Sequence, residues 1–414
     1  MRILIMGAGL AGVTAAFELL EDGHDVTVID RQPGPARETS FANACLVAPG
    51  HAFAWGSPRA PKILLASLFK DGQPHRYRFR LDPAMWRWSL KFLRECTAER
   101  ARINTERKHR LCRYAQLALQ DVVARTGVAY DGERKGLLYL YREQESFERG
   151  VQNMQIMIDA GHNLEVIDRE RAAEIDPALA PTKEQIAGGF HAPTDESGDA
   201  HKFTQALADH CAARGVRFRY DTTITGIRTE GDRVDEVMTD KGAMKADLYV
   251  MALGAFSPII AKSLKETVSV YPVKGYSATL PIDGANNPPT VGGIDEDNLF
   301  AYVRIGDRVR LTAVAEFAGY DTSHKPSDFA SMLKAAKNLL PNAADYDRPS
   351  YWACLRPMTP EGTPILGKGR LGNLYYNTGH GHMGWTMASG TARITADLIA
   401  GRRPDLPMDG LTLR

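Results

Sequence analysis

Met1-Arg-Ile-Leu-Ile-Met-Gly-Ala-Gly-Leu-Ala-Gly12 opens the chain, and Val26-Thr-Val-Ile-Asp30 follows it. Residues 2–6 form an apolar run that suits a buried strand. Gly7 permits the tight turn after it, Gly9 lets backbone approach a pyrophosphate, and Gly12 lets the next helix pack against the strand. The N–H groups at Leu10 and Ala11 offer the positive end of a helix to phosphates. Gly23 stops that helix. Asp30 ends the second strand, 18 residues beyond Gly12, where a carboxylate can accept both hydrogens of a ribose diol. A lone glycine triplet is weak evidence. Here strand, turn, helix, stop, strand and acidic end occur in order, which predicts a βαβ unit that binds a dinucleotide.

The bulk composition narrows the rest. A chain of 414 residues can bury two domains or one intertwined pair. A net charge of +1 gives no reason to expect a nucleic-acid partner. The five cysteines (Cys45, Cys96, Cys112, Cys211, Cys354) show no CxxC spacing, so neither a disulfide framework nor a zinc site is expected, and a reducing compartment is. The glycine motif begins so early that no signal or transit peptide is expected. No run approaches the roughly 20 apolar residues that span a bilayer. The expectation is a cytoplasmic protein, at most peripheral to the inner face of the cell membrane. Twelve Lys or Arg fall in residues 76–113, behind Ile63-Leu-Leu-Ala-Ser-Leu-Phe69 and around Met85-Trp-Arg-Trp88. Basic and aromatic residues on helices suit an anionic lipid surface or an acidic partner. The plainer reading, a solvated helix face with Trp86, Trp88 and Phe92 in the core, is preferred.

Periodicity predicts helices in residues 60–126, a strand at 136–141, a helix at 144–160 and a capped helix from Asp168. A second α/β stretch follows. It has a helix at 203–214, short strands up to the buried run at 249–254, and a helix from Ser257. Residues 267–345 alternate strands and turns around one helix at 327–340. The last segment has strands near Ile365 and Leu374, then a glycine loop leading into a helix near 382–400. This organisation predicts an α/β protein with a Rossmann-like cofactor domain built from residues 1–75, 190–265 and 346–414. An inserted α+β substrate domain on an antiparallel sheet takes residues 76–189 and 266–345.

Four further stretches carry the chemistry. They are Glu38-Thr-Ser-Phe-Ala-Asn-Ala-Cys45, Tyr271-Pro-Val-Lys-Gly-Tyr-Ser277, Leu355-Arg-Pro-Met-Thr-Pro-Glu-Gly-Thr-Pro-Ile365 and Asn377-Thr-Gly-His-Gly-His-Met-Gly-Trp-Thr-Met-Ala388. With the N-terminal motif, over nearly the whole chain, the sequence resembles the FAD-dependent D-amino acid dehydrogenases and, more broadly, the D-amino acid and glycine oxidase superfamily. The resemblance implies FAD and a D-amino acid or cyclic imino acid substrate of the D-proline or hydroxyproline type. Hydride would pass from Cα to flavin N5, giving an imino acid that hydrolyses to a 2-oxo acid. A quinone or another electron-transfer partner would take the electrons.

The residues fit that implication. Arg356, between Leu355 and Pro357, is a fixed fork suited to an amino-acid carboxylate. The resemblance gives it that role, and Tyr276 a supporting hydrogen bond. Lys274 alternates to the same strand face as Tyr276. Tyr302, His51 and His380 are further pocket candidates. Gly379, His380, Gly381, His382, Met383 and Gly384 precede a helix and can present N–H groups to a ring that gains charge on reduction. Two histidines two residues apart on a loop are poor metal ligands. Thr39, Ser40, Asn43, Ala44, Cys45 and Leu46 should run beside the ribitol, pyrophosphate and ring. Arg31 lies beside Asp30, Thr223 and Ile224 should pack at the adenine, and Ala252 and Gly254 end the returning strand. The sequence departs from the dehydrogenase pattern at Cys45, Leu46 and His51, where Gly, Gln and Tyr are usual. Cys354 lies near where related sarcosine oxidases carry a flavin-linked cysteine, but a small buried thiol is the plainer reading. Two rivals remain: an oxidase of glycine or sarcosine that uses O2, and a membrane-associated flavoprotein acting as an electron relay or binding module. An NAD enzyme has no use for the C-terminal glycine loop.

Overall fold

The chain folds around two large sheets, with two small ones beside them among the described residues; the computed structural model describes residues 1–62, 75–77 and 80–413. Residues 63–74, which include the Ile63–Phe69 run, lie outside the described residues.

The first sheet has six strands. Arg2–Met6 sits at its centre, parallel to Asp25–Ile29 on one side and to Leu248–Met251 on the other. Arg217–Arg219 extends one edge, and Leu374–Thr378 and then antiparallel Ile365–Lys368 extend the other. The central strands are almost continuously apolar because a parallel sheet is covered on both faces. Helices Leu10–Glu21, Ala200–Ala213 and Gly384–Ile399 cover one face through Val13, Phe17, Phe203, Leu207, Trp385 and Ala392.

The second sheet has nine strands among the described residues. Its long member is Tyr271–Pro281, flanked antiparallel by Ser350–Met358 and Arg308–Phe317. The sheet is mostly antiparallel. Two pairings are parallel: Gly292–Asp295 with Leu137–Tyr141, and Arg308–Phe317 with His75–Tyr77.

Three details differ from the sequence reading. Strand Ser350–Met358 was not foreseen at its full length, and it belongs to the second sheet, as does Gly188–Ala192. The cofactor sheet therefore resumes after residue 358, not at 346. The C-terminal half of helix Ala98–Thr126 inserts Leu119 and Val122 into the first core, so residues 76–189 do not all lie with the second sheet. In helix Pro83–Glu95, Trp88 and Phe92 are buried while Trp86 stays 41% exposed, so only two of the three aromatics join the core.

The first turn is sterically determined. Gly7 has φ 108°, and a Cβ there would stand 2.6 Å from the Ala252 carbonyl oxygen. A Cβ on Gly12 would overlap the Gly7 carbonyl oxygen outright. Gly12→Val is therefore expected to cost about 3 kcal/mol through overpacking. The check is a lowered thermal midpoint together with loss of bound dinucleotide; a midpoint equal to wild type would contradict it.

Candidate active site

A cavity of about 540 Å³ runs from the glycine turn, between the sheets, to the strand carrying Arg356. Its size suits an organic ligand. At one end are Gly7, Gly9, Leu10 and Ala11, where the helix begins and its first N–H groups lack intrahelical partners. Asp30 anchors this end. Its carboxylate accepts from Ala8 N at 2.6 Å and Gln32 N at 2.8 Å, which ties the glycine turn to the end of the second strand. Burial holds its pKa above the ordinary carboxylate value, with the two backbone donors opposing. Ser40 Oγ accepts from Leu10 N at 3.1 Å, and Thr39 Oγ1 donates to the Leu355 carbonyl at 2.7 Å. The loop after Asp30 thereby joins the glycine turn to the Arg356 strand.

Most of the residues foreseen from sequence line this cavity: Arg31, Thr39, Ser40, Asn43, Ala44, Leu46, Thr223, Ile224, Ala252, Gly254, His380, Gly381, His382, Met383 and Gly384. Arg31 lies over the Phe256 ring at 4.0 Å and pairs with Glu38 at 2.5 Å. Gly12, Cys45 and Gly379 are not in the lining; they shape it from behind. Cys45 is buried with φ 57°, its thiol turned to the Asn43 carbonyl and pushed up to about 11 by burial. Cys354 lines the cavity, and burial likewise raises its pKa, which keeps it a protonated, unreactive thiol.

At the far end stands Arg356. Pairing of Ser350–Met358 with Tyr271–Pro281 lays its guanidinium against Gly275, where a Cβ would stand 2.6 Å from its Cζ. Nη1 donates to the Val314 carbonyl at 2.6 Å. Desolvation lowers its pKa, and no carboxylate pairs with it among the described residues. An enclosed cation without an anion is costly, so this wall is built for an anionic group.

The other expected pocket residues divide. His51 lines the cavity and pairs through Nε2 with Glu296 Oε1 at 2.7 Å. Tyr276 also lines it, but its hydroxyl donates to Glu316. The expected hydrogen bond from Tyr276 to a substrate carboxylate is thus corrected: that proton is committed. Lys274 lies outside the lining and donates to the Ser323 carbonyl. Tyr302 is fully buried and also outside it. His380 reaches the lining, yet its Nε2 bonds Thr391 Oγ1 at 2.8 Å, which ties the loop to the final helix. Sequence reasoning missed Trp55, Glu296 and Asn377, all in the lining. Asn377 stood within a quoted motif; Trp55 and Glu296 carried no local signal.

The cavity fits a dinucleotide with a ring system. Its lining reaches from an N–H-rich turn to the strand of Arg356, and Asn377 Oδ1 is buried beside it without a partner among the described residues.

A family model described as FAD dependent oxidoreductase matches residues 2–398. The chain is 45% identical to D-amino acid dehydrogenase 2 of Mesorhizobium japonicum, covering 99% of each. It is 42% identical to the D-amino acid dehydrogenase of Paramagnetospirillum magneticum, covering 99% of this chain and 98% of that one. Among solved structures, glycine oxidase from Geobacillus kaustophilus superposes with TM-score 0.76 at 21% identity, covering 100% of this chain and 98% of that one. L-proline dehydrogenase from P. horikoshii gives 0.73 at 20% identity, with 99% and 95% covered. These likenesses establish the fold.

Asp30→Ala would leave the Ala8 and Gln32 N–H groups without acceptors, at about 1–3 kcal/mol each. Purified variant is expected to retain less flavin per mole of protein than wild type, read from absorbance; equal retention would contradict the anchoring role.

Proposed function

Because the chain belongs to the family of FAD-dependent oxidoreductases, we propose that it oxidises D-amino acids, including cyclic imino acids of the D-proline and hydroxyproline type. The products are imino acids that hydrolyse to 2-oxo acids, and a quinone or another acceptor besides oxygen takes the electrons. The observation that carries this reading is Arg356, a cation set into the cavity wall without an anionic partner among the described residues. FAD, when bound, supplies a two-electron acceptor for the hydride leaving Cα.

The chain's own residues supply position and environment. Gly9 to Ala11 and Asp30 would hold the pyrophosphate and ribose, and the Gly381–Gly384 loop would face the ring. Arg356 would grip the substrate carboxylate in a bidentate fork, fixing Cα in one place. Apolar residues Ile294, Leu299 and Phe300 line the cavity and would exclude water from the reacting carbon.

Arg356→Leu is expected to raise KM about 100-fold, equivalent to about 2.7 kcal/mol, within the range for truncating a buried charge pair. Flavin content should be unchanged. A wild-type KM would contradict the clamp. An anaerobic panel of D-amino acids, D-proline analogues, sarcosine and glycine tests the substrate class by flavin bleaching. Stoichiometric peroxide in air would select the oxidase reading instead.

For the acceptor, the supporting observation is helix Pro83–Glu95. It exposes Trp86, Leu90 and Leu93 at 41%, 60% and 45% beside Arg87 and Arg94. Exposed apolar groups among cations suit an anionic membrane surface, where a quinone resides. No helix among the described residues is long and apolar enough to cross a membrane. Leu90→Glu is expected to reduce co-sedimentation with anionic vesicles without changing dye-linked turnover; equal sedimentation would contradict membrane contact.

A further inference from the structure

Helix Ala98–Thr126 carries a buried amine toward the cavity. Lys108 is 1% exposed. Its Nζ donates to the Phe53 carbonyl at 2.7 Å and lies 3.1 Å from His382 Nε2. Among the described residues it has no carboxylate partner. The His382 ring is stacked on Trp55 at 4.9 Å, lines the cavity, and makes no hydrogen bond within the described chain through Nδ1. The chain therefore presents a ring nitrogen to the cavity with an amine behind it.

Resting on the substrate reading above, we propose that Lys108, acting through His382, takes the proton that an α-ammonium substrate must lose before its Cα hydride can leave. An N–H bond of the ammonium breaks as Nδ1–H forms on His382. The His382 Nε2–H bond breaks as Nζ–H forms on Lys108. Two protons hop, the net transfer is one proton from substrate to Lys108, no electron moves, and His382 begins and ends neutral as its other tautomer. The α-amine is one carbon away from the carboxylate gripped by Arg356, and Arg356 is close enough to His382 to affect its charge.

The surrounding groups favour this direction. Burial, then Lys108, Arg356 and His51, hold His382 well below the usual imidazole value, so its ring is neutral. His51 is itself paired with Glu296. Burial pulls Lys108 down to about 8, opposed by Cys112 one turn along the same helix. Burial in turn pushes the Cys112 thiol up to about 12. Lys108 is thus neutral and ready to accept above about pH 8. Lys108 is a positioning and proton-holding residue; His382 is the group that meets the substrate.

The test uses holoenzyme, with anaerobic flavin reduction by D-proline, and by D-alanine in parallel, measured against pH. In wild type kcat/KM should rise with pH and level near 8. In Lys108→Met the rise should move to the substrate ammonium's own pKa, with a loss of about 100-fold at neutral pH. Lys108→Arg, which keeps the cation but cannot accept a proton, should behave like Lys108→Met. Calorimetric binding of 2-aminoisobutyrate, which has no Cα hydrogen to lose, gives a readout independent of turnover. Its affinity should climb through the same pH range in wild type and stay flat in both variants. An unchanged pH profile and unchanged binding in the two variants would overturn the relay. Failure of every D-amino acid to bleach the flavin at any pH would sink the substrate reading, while 2-aminoisobutyrate binding would still decide the relay.

Discussion

An enclosed guanidinium that has no carboxylate partner among the described residues sets the terms of this site. Charge in a low-dielectric wall is tolerated when it is paired, and among the described residues the hydrogen bond that Arg356 makes is to the neutral Val314 carbonyl. Strand register makes the arrangement unavoidable: Val273 faces Arg356 across the ladder, and Gly275, two residues on, leaves the room that the fork fills. The second sheet thus presents a fixed positive group, and the first sheet brings a dinucleotide turn to the opposite end of the same cavity.

The two ends are tied by hydrogen bonds that cross the sequence. Thr39 reaches the strand of Arg356, Ser40 reaches the glycine turn, and Asn377 Nδ2 donates to the Ala11 carbonyl at 3.2 Å. A shift of any one element would misplace the others. The glycine loop divides its histidines by role. His380 locks the loop to the final helix through Thr391, while His382, two residues later, turns to the cavity and to Lys108. One short segment therefore supplies both rigidity and a reactive face.

Much of this was legible in the sequence because the local chemistry was self-consistent. The Gly7-Gly9-Gly12 turn, the apolar runs and Asp30 can satisfy their constraints in only one kind of unit, and they form it. Arg356 was legible because it stood beside Pro357 in a distinctive motif. Tyr276 was placed correctly on its strand, but its partner Glu316 comes from a neighbouring strand, and pairing across strands is invisible from one segment. Lys274 lies outside the lining for the same reason, because alternation gives a face and not what covers it, and Tyr302 is fully buried outside the lining as well. Lys108 falls in the basic stretch whose plainer reading is a solvated helix face. Its spacing ahead of Leu111, Cys112, Ala115 and Leu119 put it on the apolar stripe of its helix, and that periodicity was the available signal. The boundary near residue 358 was missed because a strand ending in Leu355-Arg-Pro-Met reads equally well in either sheet.

The role proposed for the wall cation is to select for a carboxylate. The most direct measurement is anaerobic flavin reduction in holoenzyme by a D-amino acid beside the amine that remains when its carboxylate is removed, D-proline against pyrrolidine. Rapid bleaching by the acid and almost none by the amine at equal concentration is the expected result. Equal bleaching by both would show that Arg356 contributes nothing to substrate capture.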